Sequence, residues 1–427
     1  MKTAGIGIPS TIRSFLRKEA KDRFLRYVKI STSSSPESKT HPSSEGQITL
    51  AGLLKQELSE LELKDVELDE YGYLYAVLPA SPAAAGPPIT FCSHLDTSPA
   101  ENGKNVEPVI HENYDGGTIL FEKNNDLKLS PEESPELKQF IGENIITSSG
   151  DTLLGSDDKA GIAEIMAALA AFKSYPELPH PELRVVFTPD EEIGRGADHI
   201  DMKRLGRYGY TVDGDIIGVM EDECFDAFEV SITLKGKNIH PGYAKGKMVN
   251  AGAIAARFAA AVPEYEAPEH TEKREGFYHL TNIEGTENQA VIKFIIRDFE
   301  REKNLKRIEY IKSLITVFEL RYNGLSIELD MHEQYSNMKA ELDKHPEVTE
   351  LACLAIEQTG LEVIKKPIRG GTDGARLTFM GMPAPNLFTG GMMFHSKTEW
   401  VPEIALEKSA EVILNLCRLW AEENGRG

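Results

Sequence analysis

The order of elements between residues 224 and 334 constrains the fold of this chain more than any other feature. Phe228–Lys235 reads as a strand and Val249–Val262 as a helix, and Gly276–Glu284 and Ala290–Asp298 are two strands around a Gly-containing turn. Residues 300–319 have helical periodicity, and Ser326–Met331 is a last strand. The resulting β-α-β-β-α-β order is that of a split βαβ, ferredoxin-like unit. The rhythm on either side is different. Short, buried-type strands such as Ile89–His94 and Leu183–Phe187 alternate with alanine-rich or amphipathic helices such as Lys159–Lys173. That alternation predicts a sheet covered by helices on both faces. The expected fold is α/β: a main domain over 18–223 and 335–427, with a central mixed sheet flanked by helices. A smaller α+β ferredoxin-like domain over 224–334 interrupts it.

Helical periodicity begins near Lys18, where Phe24, Leu25, Tyr27 and Val28 form one stripe, and returns at about 48–62. Between them the Ser-rich run Ser31–Ser44 reads as an exposed loop. Residues 97–150 form a polar excursion too long for an ordinary connection. The first residues carry Lys2, Arg13, Arg17 and Lys18 but no apolar core of the kind a secretory signal needs. Residues 1–17 are therefore read as a leader, disordered or weakly helical, with a transit peptide as the minor alternative.

Composition narrows the partners. No apolar run approaches the roughly 18 residues of a membrane span. Lys plus Arg number 47 against 68 Asp plus Glu, a formal charge of −21. Such a chain is repelled by phosphate backbones, which argues against nucleic acid and anionic membranes as partners. The four cysteines are scattered, with no C-x-x-C. That excludes a disulfide framework and a thiolate zinc site, and it suits a reducing cytoplasm.

Five segments place acids or histidines at strand ends or in tight Gly-rich loops. They are Ser93–Thr97, Gly155–Lys159, Thr188–Gly194, Thr211–Gly214 and Gly390–Ser396. Taken singly, each has an ordinary reading: a surface His-x-Asp pair, helix N-terminal acids, a solvated acidic turn, a core histidine. Together they are harder to explain, because in an open α/β sheet the carboxyl ends of the strands share one edge. Carboxylates gathered there repel one another by several kcal/mol unless a cation neutralises them. Imidazole and carboxylate without thiolate suit zinc, or manganese or cobalt, in a catalytic site. Two metals with one shared acid need two histidines and three acids, which His94, His395, Asp157, Glu192 and Asp213 supply. Asp96 can then accept the other ring N–H of His94. Glu191 is placed to take a proton from a metal-bound water. If 190–192 continue the preceding strand, Glu191 and Glu192 point in opposite directions, one to a metal and one to water and substrate.

These residues carry a resemblance. Ser93-His94-Leu95-Asp96-Thr97-Ser98-Pro99, Leu154–Gly161 and Phe187–Gly194 are similar to signatures of the co-catalytic zinc exopeptidase family. His240-Pro241-Gly242 with Lys245-Gly246, Ile368–Gly374 and Asn386–Gly391 narrow it to the tripeptide aminopeptidases of the peptidase T family. The likeness runs in order from about Lys18 to the C-terminus. It implies that His94 and Asp213 hold one zinc and Glu192 and His395 the other, with Asp157 bridging. It implies Glu191 as general base and Asp96 as supporting acid. The inserted domain becomes a lid whose His240 and Arg297, with Arg369 from the main domain, bind substrate or the developing oxyanion. Three features depart from the family pattern: a longer leader, Ser156 in place of the usual alanine, and Met392-Met393 near the last histidine. Ser156 can add a hydrogen bond.

The expected protein is thus a cytoplasmic zinc metallopeptidase releasing the N-terminal residue from tripeptides, with two Zn2+ per subunit (Mn2+ or Co2+ as alternatives). Its partners are short peptides, and a homodimer is one option for its assembly. The nearest rival is a dipeptidase or N-acyl-amino-acid amidohydrolase on the same scaffold. A non-catalytic peptide-binding protein is the rival from another class.

Overall fold

The computed structural model describes residues 7–82 and 84–422. The chain divides into two compact units. The first comprises the chain up to Asp222, Ala340–Lys366 and the chain from Thr372 on, and the second Glu223–Lys339 and Pro367–Gly371. Residues 223, 335–339 and 367–371 therefore belong with the second unit, not the main domain to which the sequence assigned them. The reason is visible in the pairing. The last strand of the second unit runs on to Tyr335, and Ile368 makes a bridge to Cys224.

The first unit holds an eight-stranded mixed sheet. Its order is Lys64–Leu68, Leu74–Leu78, Leu183–Thr188, Ile89–His94, Tyr208–Gly214, Asn386–Phe388, Val219–Glu221, Ile364–Lys365. The four central strands from Leu183–Thr188 to Asn386–Phe388 are parallel neighbours. Helix Ser156–Ser174 is buried along almost its whole length. That explains its alanine-rich composition without a polar face, since a helix apolar all round must be enclosed. Gly161 lets it lie on the sheet: a Cβ there would sit 1.9 Å from the Val212 carbonyl oxygen. No helix among the described residues is long and apolar enough to cross a membrane.

Three expectations change. Residues 1–6 of the expected leader lie outside the described residues, but Ser10–Tyr27 is one continuous helix. Ile12, Leu16, Ala20, Phe24 and Tyr27 form a buried stripe on it. The i, i+4 spacing extends N-terminal of Lys18, so residues 10–17 are packed core and not a disordered leader. The Ser-rich run is a loop, but Thr32, Ser34 and Ser43 are buried in it. The long excursion folds around its own aromatic cluster, with Tyr114, Phe121 and Phe140 packed near Trp400. Its strands Pro108–His111 and Ile145–Ser148 join Trp400–Pro402 in a three-stranded sheet.

The second unit is a four-stranded antiparallel sheet in the order Phe277–Gly285, Gln289–Asp298, Asp226–Lys235, Ser326–Tyr335. Helices Ala251–Ala259 and Arg301–Arg321 carry its core residues Ile254, Phe258, Ile308 and Ile311. This is the split βαβ arrangement that the element order predicts.

Candidate metal centre

The centre is assembled at the carboxyl ends of the parallel strands in the first unit. His94 is the last residue of its strand, and Asp213 lies one residue before the end of Tyr208–Gly214. Leu183–Thr188 leads into Asp190, whose left-handed backbone (φ 60°) turns the chain into a 3₁₀ turn over Glu191–Ile193. The two glutamates are therefore not on an extended stretch. They are separated by the roughly 120° step of a 3₁₀ turn, which still sends them in different directions. Asp157 comes from the start of helix Ser156–Ser174, and His395 from a loop where its φ is +60°.

The five expected ligands converge. Asp157 stands between the two histidines: Oδ1 is 2.8 Å from His94 Nε2 and Oδ2 is 3.1 Å from His395 Nε2. Asp213 Oδ1 lies 3.5 Å from His94 Nε2, and Glu192 Oε2 lies 3.0 Å from His395 Nε2. His94, Asp157 and Glu192 offer ligand atoms that all lie within 4.8 Å of one another. So do His94, Asp158 and Asp213. Asp158 was not among the expected ligands, and its Oδ2 accepts the backbone N–H of His94 at 3.0 Å.

The electrostatics are those of acids and imidazoles crowded together and buried. Burial, with Asp157 adding, pushes the Glu192 carboxyl up to about 8. Burial also raises Asp213 to about 6. Hydrogen bonds to Asp157 and Glu192 push His395 up to about 11. Burial lowers the pKa of His94, but Asp213, Asp157 and Asp96 outweigh it and the net shift is strongly upward. For Asp157 burial works upward, yet the hydrogen bonds from His395 and His94 win and its carboxyl is held low. Each imidazole thus takes its upward shift from the acids it touches. Divalent cations satisfy the same acids and leave the imidazoles neutral, the form in which histidine ligates metal. Glu192 Oε1 is buried and makes no hydrogen bond, as expected of an atom turned toward a cation. The residues fit a metal site.

Asp96 supports both halves. Its Oδ1 accepts the Glu191 backbone N–H at 3.0 Å and its Oδ2 that of Glu192 at 3.1 Å. His94 Nδ1 lies 3.1 Å from the Asp96 carbonyl oxygen and 3.3 Å from Oδ1, which leaves Nε2 facing Asp157. Burial raises the Glu191 carboxyl well above its ordinary value; His94 opposes the shift, and Asp373 and Asp213 add to it.

The expected substrate residues all lie in the second unit. His240 accepts the Gly242 N–H through Nδ1 and lies beside Tyr243. Arg297 does not pair with Asp298, whose partner is Arg307 at 2.6 Å; the Arg297 guanidinium sits over the Tyr335 ring. Arg369 is corrected in its place: it belongs to the second unit, where its guanidinium donates to the carbonyls of Lys273 (2.7 Å), Glu275 (2.9 Å) and Thr271 (3.4 Å).

Four supporting residues were not singled out in the sequence. Besides Asp158, Asp373 is buried and accepts from Thr188 Oγ1 at 2.7 Å. Asn386 Oδ1 accepts the Asp213 backbone N–H at 3.1 Å. Both lie within the quoted Gly-rich phrases, so a signal existed. Glu399 had none; its carboxylate receives the backbone of 154–157.

Residues 153–419 match peptidase family M20/M25/M40. A relative named peptidase T, from Caldanaerobacter subterraneus subsp. tengcongensis, is 47% identical over 403 residues, covering 94% of this chain and 98% of its own. A tripeptidase from Staphylococcus aureus superposes with a TM-score of 0.76 at 22% identity, over 95% of this chain and 99% of that one. A dinuclear metal binding peptidase from Bacillus subtilis gives 0.64 at 12% identity, over 95% and 98%. At those identities the two structures speak to the fold.

Proposed function

The chain belongs to peptidase family M20/M25/M40, and from that premise we propose that it is a metal-dependent aminopeptidase releasing the N-terminal residue of tripeptides. The name of the 47%-identical relative supports peptide hydrolysis, and the tripeptide class comes from the sequence resemblance. The observation that carries the chemistry is the Asp157 carboxylate shared between His94 and His395 and flanked by Asp213 and Glu192.

In this reading the centre takes two divalent cations, zinc before manganese or cobalt. His94 and Asp213 would hold one, His395 and Glu192 the other, and Asp157 both. When bound, such a pair supplies Lewis-acid polarisation of the scissile carbonyl and acidifies a water. Glu191 removes the proton of the attacking water and delivers it to the leaving amine. Asp96 holds the His94 ring in the tautomer that leaves Nε2 for the metal, and it fixes the backbone of both glutamates. His240 and Arg297 are assigned to substrate contact by the family resemblance. Their alanine variants should raise KM for a tripeptide, and an unchanged KM in both would remove that assignment. The compartment in this reading is the cytoplasm, and the peptides are its only proposed partners apart from a second copy, which light scattering would detect.

Zinc-loaded protein assayed on Ala-Ala-Ala, Ala-Ala and N-acetyl-Ala separates the readings. Preferential release of alanine from the tripeptide is expected. Preference for Ala-Ala or N-acetyl-Ala would transfer the assignment to a dipeptidase or an amidohydrolase. No turnover of any would favour a peptide-binding protein.

A further inference from the structure

Glu399 is 1% exposed, and its carboxylate takes five hydrogen bonds from a single loop. Oε2 accepts from the backbone N–H groups of Leu154 and Gly155, both at 2.8 Å. Oε1 accepts from the N–H groups of Ser156 at 2.7 Å and Asp157 at 3.2 Å, and from the Ser156 hydroxyl at 2.6 Å. Consecutive amides converge on one anion in this way only where the backbone curls into a nest. Gly155, at φ 83°, supplies the left-handed residue that the curl requires. The last amide in the nest belongs to Asp157, the acid between the two histidines.

Glu399 also closes the other side of the centre. It stands four residues after His395, at the base of a loop pinned by the hydrogen bonds Met392 N to Trp400 O (2.8 Å) and Trp400 N to Met392 O (3.1 Å). One carboxylate thus joins the loop bearing Asp157 to the loop bearing His395. Charge-assisted hydrogen bonds make that joint stiff.

We propose that Glu399 is a positioning residue: it sets the separation of Asp157 and His395, and through it the affinity of the metal position these two share with Glu192. This rests on the two-metal reading above. It adds an asymmetry that the reading does not contain. The His395–Glu192 position depends on Glu399 through two of its ligands, whereas the His94–Asp213 position depends on it only through Asp157. Glu399→Gln keeps the side-chain volume but turns an NH₂ donor toward amide donors, whichever way the amide is placed. Ser156→Ala removes one donor and leaves all the backbone amides.

Metal-free wild type, E399Q and S156A would each be titrated with Co2+, followed by visible absorption and calorimetry, beside thermal melting of the metal-free proteins. Wild type is expected to bind two equivalents. E399Q should keep one near wild-type affinity and weaken the other by about 10–100-fold, as loss of a partner behind metal ligands typically does, with part of the cobalt spectrum lost. S156A should weaken the same position by a smaller factor and remain folded without metal. A folded E399Q with both affinities and the spectrum unchanged overturns the proposal, as does equal weakening of both positions. If E399Q does not fold, S156A decides, and unchanged affinities there overturn it. Wild type that binds fewer than two equivalents overturns the two-metal reading itself, and the proposal with it.

Discussion

Replacing Asp96 by asparagine removes the charge and one acceptor oxygen of a carboxylate that three groups use. In the native chain Oδ1 and Oδ2 each accept one backbone N–H, from Glu191 at 3.0 Å and from Glu192 at 3.1 Å, while His94 Nδ1 lies 3.3 Å from Oδ1. Asparagine retains one acceptor oxygen. Its NH₂ faces the Glu192 N–H in one orientation and the Glu191 N–H, beside His94 Nδ1, in the other, so at least one buried donor loses its partner. A hydrogen bond to a charged acceptor contributes about 1.5–3 kcal/mol, and the site is fully enclosed. At about 1.4 kcal/mol per decade, that loss corresponds to roughly a 10–150-fold fall in turnover. The fall should appear in kcat more than in KM, because Asp96 aligns His94 and Glu191 and is buried away from substrate. The assay is steady-state hydrolysis of Ala-Ala-Ala at saturating zinc, with metal content measured on the same sample. A folded, metal-loaded Asp96→Asn enzyme whose kcat stays near that of wild type would refute the reasoning.

Further outcomes separate the neighbouring parts. Glu191→Gln should retain its metals and lose about 10²–10⁴-fold in turnover, the usual cost of losing a general base. Glu192→Gln should instead lose one metal, with activity partly restored by excess zinc; the reverse pattern would exchange the two roles. Leu16→Ala should lower unfolding stability by about 2–5 kcal/mol in a denaturant titration, since Leu16 is fully buried on the N-terminal helix. An unchanged midpoint would return residues 10–17 to a loose leader. Glu164 is enclosed with only Ser409 Oγ, among the described residues, donating to it at 2.6 Å, and burial raises its carboxyl well above 4.5. An acid whose folded pKa is raised destabilises the fold increasingly as pH climbs above its unfolded pKa. Glu164→Gln should therefore gain melting temperature over wild type at pH 8 and little at pH 4. An equal gain at both would remove burial of the charge as the cause.

The convergence of His94, Asp157, Glu192, Asp213 and His395 was legible because strand ends and Gly-rich loops announce themselves locally, and parallel strands bring their carboxyl ends to one edge. His94, Glu192 and Asp213 follow from that rule, and Asp157 follows from Gly161, which lets its helix approach the Val212 backbone. What supports the ligands was less legible. Glu399 acts on backbone amides some 240 positions away, and amides carry no sequence signature. The extended course assumed for 190–192 failed because Asp190 adopts a left-handed backbone, held by Ser43 from the serine-rich run and by Gln47 from the helix that follows it. Reading that run as an exposed loop concealed its partner. Arg369 was misplaced because five residues return to the second unit after the chain has left it. The N-terminal helix was missed by a search for a continuous apolar core, when the stripe Ile12, Leu16, Ala20 repeats every fourth residue.

The central claim is that the His94–Asp157–His395 cluster works only when it holds metal. The direct measurement is elemental analysis of the purified protein beside its rate on Ala-Ala-Ala, before chelation, after it, and after zinc is returned. The account predicts close to two metal equivalents at full rate, loss of alanine release as both are stripped, and recovery as they are restored. Full-rate hydrolysis by protein shown free of zinc, manganese and cobalt would contradict it.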